Sequence, residues 1–164
     1  MNPRRRLSGA RTVSRRSLVL GAGAFGLAGL AGADGVTLPM ASALPLQLAN
    51  ALRQGNPLVV MVSLPGCPFC KVARENYLAP LWREQNLPIV QVDMLSQQAV
   101  VGFQEVTTTH DAQVRAWGVK VAPTVLFFGR GGAEIAGRMV GGMLADFYGA
   151  YLDQRIATAR KALS

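Results

Sequence analysis

The chain has two cysteines, and they lie close together in the sequence Cys67-Pro68-Phe69-Cys70. The apolar run 58–62 precedes them and a helical pattern follows, so a strand, a short turn and a helix would place Cys67 at a helix N-terminus. Unpaired N–H groups and the positive end of the helix dipole stabilise a thiolate at such a position. We therefore predict that Cys67 is a nucleophilic sulfur.

The second cysteine is predicted to be the more buried of the two. Cys70 shares one helix face with Ala73, Tyr77 and Leu81, at spacings of three and four residues. Pro68 fits the first helical position, because its missing N–H has no intrahelical partner there. Cys70 is accordingly predicted to resolve a mixed disulfide formed on Cys67.

Three kinds of site are compatible with two cysteines at this spacing. A zinc site usually has four ligands, and the chain has one histidine and no second cysteine pair. A purely structural disulfide that closes only two intervening residues constrains the unfolded chain little. Thiol–disulfide exchange is the interpretation that the spacing favours, and it implies neither a metal nor another cofactor.

The positive charge of the chain is concentrated at its N-terminus. The 164 residues carry a net charge of +8, of which six arginines and one acid in residues 1–43 contribute +5. Residues 44–164 have eleven basic and eight acidic side chains, without a basic stripe interleaved with aromatic residues. We therefore expect a solvated surface on a single domain and no nucleic-acid binding.

The first segment has the three parts of an export signal, namely a basic start, an apolar middle over residues 18–31 and small residues after it. Within it, Ser14-Arg15-Arg16-Ser17-Leu18-Val19 resembles the twin-arginine motif, although Sec-type export and an uncleaved anchor stay open. The apolar run is shorter than the ~20 residues of a spanning helix, which disfavours the anchor. We therefore predict a protein exported to the periplasm, an oxidising compartment.

Two small-x-small sequences could be the processing site, Ala41-Ser42-Ala43 and Ala31-Gly32-Ala33. The first is preferred, because the pattern from Leu44 onward is that of folded protein. The predicted organisation is an export signal over residues 1–43 and one domain over residues 44–164.

The domain is predicted to alternate helices and strands, with a first strand that is apolar throughout and hence covered on both faces. The expected elements, in chain order, are a helix at 44–52, a strand at 58–63, a helix from Cys67 divided near Pro80, a strand at 89–94, a loop at 95–109 with at most a short strand or helical turn, a helix capped by Thr109 and stopped by Gly118, a strand at 124–128, a turn at 129–132, an edge strand at 134–140 and a helix at 144–162. In the last helix the apolar stripe of Leu144, Phe147, Tyr148, Tyr151, Leu152 and Ile156 is predicted to be core.

This order of elements, together with Val121-Ala122-Pro123-Thr124, a Gly-rich turn and Gly141 before the last helix, resembles the thioredoxin superfamily over nearly all of residues 44–164. Within the superfamily, the chain is most similar to exported thioredoxin-related proteins. The resemblance implies an α/β thioredoxin fold with a central mixed sheet flanked by helices. It implies a cis bond before Pro123, which would face the cysteines, and a backbone at Ala122 that pairs with an extended client.

By the same resemblance the site residues are Cys67 and Cys70 for catalysis and Ala122, Pro123, Pro68 and Phe69 for substrate binding. The chain departs from the thioredoxin pattern where that pattern has a buried acid, a tryptophan and a lysine. These positions are occupied by Met61, Gly66 and Ile89. We expect that water or the client thiol assists deprotonation of Cys70, because no acid or base occupies these positions.

The direction of electron flow is predicted from the two residues between the cysteines. Pro68 and Phe69 provide no cation to stabilise a thiolate, which favours a reductase over an oxidase. A non-catalytic binding or assembly module is the alternative of a different class. The expected partners of a reductase are protein thiol or disulfide clients and a membrane electron donor or acceptor, and the protein is expected to be a monomer.

Two further residue types are predicted to have structural roles only. His110 is expected to lie on the surface or to cap a helix. Met61, Met94, Met139 and Met143 are expected to fill the core and not to bind copper, because no Met-x-x-Met or His-Met cluster accompanies them.

Overall fold

The computed structural model of the protein describes residues 35–142 and 145–164. The predicted export signal up to residue 34, the upstream processing site, Met143 and Leu144 lie outside the described residues. Within the described part of the chain, no helix combines the length and the apolar character that crossing a membrane requires.

The domain contains six strands and five α-helices within these described residues. The strands are β1 (Leu58–Ser63), β2 (Ile89–Asp93), β3 (Ala99–Val101), β4 (Thr107–Thr109), β5 (Thr124–Phe128) and β6 (Met139–Val140). The helices are α1 (Leu44–Arg53), α2 (Pro68–Val72), α3 (Ala79–Glu84), α4 (His110–Ala116) and α5 (Ala145–Leu163), with a π-helical segment at Ala73–Leu78 and a 3-10 turn at Arg130–Gly132.

The central sheet has the strand order β2-β1-β5-β6 and is mixed. β1 runs parallel to β2, with Val60 opposite Val90, and antiparallel to β5, with Val60 opposite Leu126. β6 pairs antiparallel with β5 through Val125 and Met139. The predicted mixed sheet flanked by helices is confirmed.

Every residue of β1 and β5 is buried, because both faces of the sheet are covered. Successive side chains of a strand point to opposite faces, so Val59 and Met61 enter one core while Val60 and Val62 enter the other. The first core contains Cys70 and residues of α3 and α5, and the second contains residues of α1 and α4. Cys70 therefore lies in the core on one side of the sheet.

The long helix after the cysteines is divided, as predicted, but ahead of the proline. The π-helical segment separates α2 from α3, and Pro80 lies in the first turn of α3, where its missing N–H is tolerated. The unit ends at Glu84, and Asn86 follows with a positive φ of 52°.

Residues 95–109 contain more structure than the sequence predicts. Two short strands, β3 and β4, form an antiparallel hairpin in which Val100 pairs with Thr108. The prediction of at most one short element was wrong, since a three-residue strand carries too little alternation to be recognised.

The predicted edge strand at 134–140 is shorter in the structure. Only β6 and an isolated bridge between Phe128 and Glu134 form there. Arg138 pairs with Glu134 and donates to the Trp117 carbonyl oxygen at 2.9 Å, so its side chain anchors this segment outside the ladder.

The ends of α4 agree with the sequence prediction. Thr109 Oγ1 accepts a hydrogen bond from the Ala112 N–H at 3.2 Å, which caps the helix. Trp117 ends the helix, and Gly118 follows with a φ of 65°, a left-handed conformation that favours glycine.

His110 is fully buried, so the expected surface position was wrong. Its Nδ1 accepts a hydrogen bond from the Asp93 N–H at 3.2 Å, and its Nε2 lies 2.9 Å from the Ala41 carbonyl oxygen. Since a neutral imidazole that accepts at Nδ1 carries its proton on Nε2, His110 donates to Ala41. The side chain thereby joins β2 to the residues before α1.

Those residues belong to the folded domain, and we name residues 35–43 the N-terminal strap. The strap pairs with the outer edge of β2, because the Ala41 N–H donates to the Gln91 carbonyl and the Gln91 N–H donates to the Pro39 carbonyl, both at 2.8 Å. Leu38 and Ala41 are buried. The domain boundary at residue 43 stays a prediction, but the structure extends the packed chain to at least Leu38.

α5 begins within one residue of its predicted start, and the prediction of its core face is partly wrong. Tyr148, Leu152 and Ile156 are buried, whereas Phe147 is 58% exposed and Tyr151 is 41% exposed. The buried stripe is thus narrower than the apolar stripe of the sequence. Met61 and Met139 are core residues, as predicted.

Candidate active site

The site is built where β1 ends and α2 begins. A turn at residues 64–66 follows β1, and Gly66 adopts a left-handed φ of 75°. Cys67 is the N-cap residue of α2, and its Sγ accepts a hydrogen bond from the Cys70 N–H at 3.1 Å. The predicted position of Cys67 at the helix N-terminus is confirmed, with Pro68 as the first helical residue.

The two cysteines form a disulfide, with their Cα atoms 5.2 Å apart. Cys70 is completely buried, whereas Cys67 is partly exposed. A client can therefore reach the sulfur of Cys67 first. The assignment of attack to Cys67 and resolution to Cys70 stays a prediction that this difference in exposure supports.

The loop before β5 lies against the cysteines. The bond between Ala122 and Pro123 is cis, as the resemblance implies, and the Ala122 carbonyl oxygen lies 3.9 Å from Cys67 Sγ. Thr124 Oγ1 donates to the Val121 carbonyl at 2.7 Å, and the Gly141 N–H donates to the Pro123 carbonyl at the same distance. The structure thus brings together Cys67 and the two residues predicted to bind the client backbone.

Apolar side chains are exposed around this loop. Phe69 is 64% exposed, and its ring is so close to Gly142 that a Cβ there would lie 2.9 Å from the ring. Val140 is exposed beside Gly141, and Val121 is exposed beside Ala122. Phe69 and Pro68 therefore stand on the exposed side of the cysteines, although their predicted role in substrate binding stays a prediction.

The interior beside Cys70 is apolar. Met61 and Ile89, which replace the acid and the lysine of the thioredoxin pattern, are buried in the same core as Cys70. Tyr148 also lies in this core, where burial and, secondarily, the neighbouring Tyr77 raise its pKa to about 12. A phenol with that pKa keeps its proton near neutral pH, so Tyr148 is not a base for Cys70.

A polar groove of about 1040 Å³ opens on the other side of Cys67, and apart from Cys67 and Pro68 the residues that line it were not predicted as site residues from the sequence. Its lining includes Cys67, Lys71, Arg74, Glu75, Gln91 and Asp93. Arg74 Nε donates to Gln91 Oε1 at 2.8 Å, and Arg74 Nη2 donates to Ser63 Oγ at 3.0 Å. The sequence signal that could have found Arg74 is its spacing of seven residues, two helical turns, from Cys67.

The sequence is similar to one known protein family. Residues 44–156 match the profile of a thioredoxin-like domain. No curated protein sequence matches the chain.

Three solved structures with a similar fold illustrate the likeness. Mitochondrial thioredoxin 3 from Saccharomyces cerevisiae, in the oxidised form, is 19% identical, with 73% of this chain and 93% of that chain covered and a TM-score of 0.48. Thioredoxin NaTrxh from Nicotiana alata is 17% identical, with coverages of 74% and 96% and a TM-score of 0.48. The C-terminal domain of DsbD from Neisseria meningitidis, also oxidised, is 20% identical, with coverages of 71% and 98% and a TM-score of 0.48.

Proposed function

Because the chain belongs to the thioredoxin superfamily, we propose that this thiol:disulfide oxidoreductase is a reductase of protein disulfides that works in the periplasm. The observation that carries the proposal is the asymmetric pair, a partly exposed Cys67 and a fully buried Cys70 beside the loop of Ala122 and Pro123. An accessible sulfur can attack a client, and a shielded sulfur is reserved for the second step.

The reaction begins with both cysteines reduced. The thiolate of Cys67 attacks one sulfur of the client disulfide, the client S–S bond breaks, and the other client sulfur leaves as a thiolate. Cys70 then loses its proton to water or to the client thiolate and attacks the sulfur of Cys67. The second client thiol is released, two electrons have passed to the client, and the Cys67–Cys70 disulfide seen in the structure remains.

The proposed direction rests on the surroundings of Cys67. Pro68 and Phe69 place no cation between the cysteines, and the charge of the nearby Lys71 is offset by its ion pair with Glu75. The guanidinium of Arg74 lies two helical turns from Cys67, a separation of ~10 Å along the helix. If the thiolate has little cationic stabilisation, the reduction potential of the disulfide is lower than that of strongly oxidising disulfide exchange proteins, and thus below roughly −120 mV. The couple therefore needs a dithiol donor in an oxidising compartment, and we assign that role to a membrane protein.

The periplasmic location rests on the sequence of residues 1–43, with its basic start, apolar middle and twin-arginine-like Ser14-Arg15-Arg16-Ser17-Leu18-Val19. A fusion of these residues to a reporter that is active only after Tat export tests it, with Arg15→Lys and Arg16→Lys combined as the inactive control. Export that continues in the double variant would indicate the Sec route.

Alkylation of thiols in intact cells tests the direction of electron flow. We expect Cys67 and Cys70 mainly as thiols, and we expect them to become a disulfide when the membrane donor is deleted. The purified protein should reduce insulin with dithiothreitol as electron source. If the pair is oxidised in every background and the protein accelerates disulfide formation in reduced clients, it is an oxidase.

A further inference from the structure

We infer that the polar groove beside Cys67 binds a carboxylate group of the disulfide that Cys67 attacks, and that Arg74 is the residue that binds it. This inference rests on the proposed function, since it names the chemical class of the substrate of the same site. It concerns the side of Cys67 that faces β2, opposite the loop of Ala122 and Pro123.

The groove has the size and position of a ligand site. Its volume of about 1040 Å³ is slightly above the ~300–1,000 Å³ typical of small-molecule pockets. One wall is the helix face that carries Cys67, Lys71 and Arg74, and the start of the N-terminal strap at residues 35–37 lines the groove beside this face, with Gly35 against Glu75. A ligand in the groove would therefore contact the attacking sulfur.

The guanidinium of Arg74 is held in place by neutral groups. Gln91 and Ser63, both buried, accept hydrogen bonds from its Nε and Nη2. The ion pairs found in residues 35–142 and 145–164 join other side chains, namely Lys71–Glu75, Arg115–Asp111 and Arg138–Glu134. A guanidinium has five N–H donors, so Arg74 keeps donors for a ligand while its orientation is fixed. Such a fixed fork matches the geometry of a carboxylate.

The other charges of the groove limit what it accepts. Lys71 and Glu75 offset each other, and Arg83 adds a cation at the rim. Asp93 accepts a hydrogen bond from Gln91 Nε2 at 2.8 Å and would repel a second anion. The groove thus suits one carboxylate at Arg74 rather than a polyanion.

The spacing predicts where that carboxylate lies in a client. Seven residues of helix from Cys67 to Arg74 correspond to ~10 Å at 1.5 Å per residue. An extended client advances ~3.3 Å per residue, so the acidic side chain should lie about three residues from the attacked cysteine. A small disulfide whose carboxylates lie at a similar distance from its sulfurs would also fit.

The test compares matched substrates that differ in one charge. The peptide arm uses a mixed disulfide of a short peptide with mercaptoethanol, carrying Glu or Gln three residues from its cysteine. The small-molecule arm uses glutathione disulfide and its diethyl ester, which has one carboxylate fewer for each of its two cysteines. The dithiothreitol-reduced protein should react about tenfold faster with the acidic member, the effect of one charge-assisted hydrogen bond.

Variants assign the preference to Arg74. Arg74→Gln should reduce the preference to less than about twofold, and Arg74→Lys, which keeps the charge and loses the fork, should restore part of it. Arg53→Gln is the matched control, because Arg53 is exposed at the end of α1, which packs on the opposite core. Equal rates with acidic and neutral substrates in both arms, or a preference that survives in Arg74→Gln, would overturn the inference. If the preference for the acidic substrate occurs in just one arm, that arm shows whether the carboxylate belongs to a peptide or to a small disulfide.

Failure of the proposed function would look different. In that case neither member of any pair would exchange, and the groove would be tested by binding to the oxidised protein. A peptide with Ser in place of its cysteine should shift the Arg74 Nε–H resonance when it carries Glu and not when it carries Gln. An unchanged resonance with both peptides would reject carboxylate binding independently of turnover.

Discussion

The N-terminal strap provides the sharpest test of the fold, because the sequence alone assigns its residues to a removable signal. The perturbation is Leu38→Ala, which truncates a side chain that is 4% exposed and packs in the same core as Cys70. The matched control is Leu46→Ala, since Leu46 is 68% exposed on α1. Both variants are made in a chain that begins at Gly35.

The magnitude follows from how the strap is attached. Leucine-to-alanine changes in a core cost ~2–5 kcal/mol of unfolding free energy. A strap can detach from the domain, so the loss cannot exceed the free energy with which the strap docks. We therefore expect the low end, about 2 kcal/mol, which lowers the melting temperature by roughly 4–8 °C. Leu46→Ala should cost less than ~0.5 kcal/mol.

A chain that begins at Leu44 gives the largest loss of unfolding free energy that Leu38→Ala could cause. This chain lacks the strap and its hydrogen bonds to Gln91 and from His110. Urea unfolding of the two variants, the shortened chain and the unaltered chain from Gly35, followed by circular dichroism, measures the differences in unfolding free energy. Losses below ~0.5 kcal/mol for both Leu38→Ala and the shortened chain would show that the strap contributes no stability. A loss for Leu38→Ala that exceeds the loss for the shortened chain would refute the detachment argument.

Three other predictions test the site and its supports. Cys70→Ser should accumulate mixed disulfides with client proteins in cells, whereas Cys67→Ser should not, and equal trapping, measured on non-reducing gels, would reject the assigned roles. Burial raises the pKa of Tyr148 from 10.0 to about 12, so its contribution to stability is complete below pH ~10 and falls by about 3 kcal/mol as the pH rises towards 12. Tyr148→Phe should remove that part of the loss of unfolding free energy at alkaline pH, measured by urea unfolding at graded pH. An unchanged loss in the variant would contradict this prediction. His110→Phe should cost ~2–6 kcal/mol, because the Asp93 N–H and the Ala41 carbonyl would each lose a buried partner; a cost below ~1 kcal/mol in the same assay would show that water replaces the imidazole.

Local signals explain why much of the fold could be predicted. The start of α2 at Cys67, the cap at Thr109 and the stop at Gly118 depend on hydrogen bonds and backbone angles within a few residues. All residues of β1 except Ser63 and all residues of β5 except Thr124 are apolar, so the composition of these strands already predicts their burial. The cis bond at Pro123 was different, because only the resemblance to a family implied it.

The features that were missed depend on distant partners. Ala41 is a small residue in a small-residue stretch, and its burial comes from β2, fifty residues later in the chain. The imidazole of His110 is buried because the strap covers it, which no pattern around His110 indicates. In the sequence, Arg74 cannot be distinguished from a solvated arginine on a helix. Its fixed position depends on hydrogen bonds to Ser63 and Gln91, which belong to two different strands.

The apolar surroundings of Cys70 bear on both halves of the reaction. A buried thiol without a neighbouring base ionises reluctantly, and Met61 and Ile89 supply no charge to assist it. Attack by Cys67 needs no such help, since its sulfur is partly exposed at a helix N-terminus and already accepts the Cys70 N–H. We therefore expect resolution by Cys70 to be slower than attack by Cys67, so that a client would stay covalently bound while its remaining contacts are made. In that interval a carboxylate held by Arg74 on one side and a backbone paired at Ala122 on the other would orient the client thiolate toward Cys70, where it can take the proton that the protein has no base to remove.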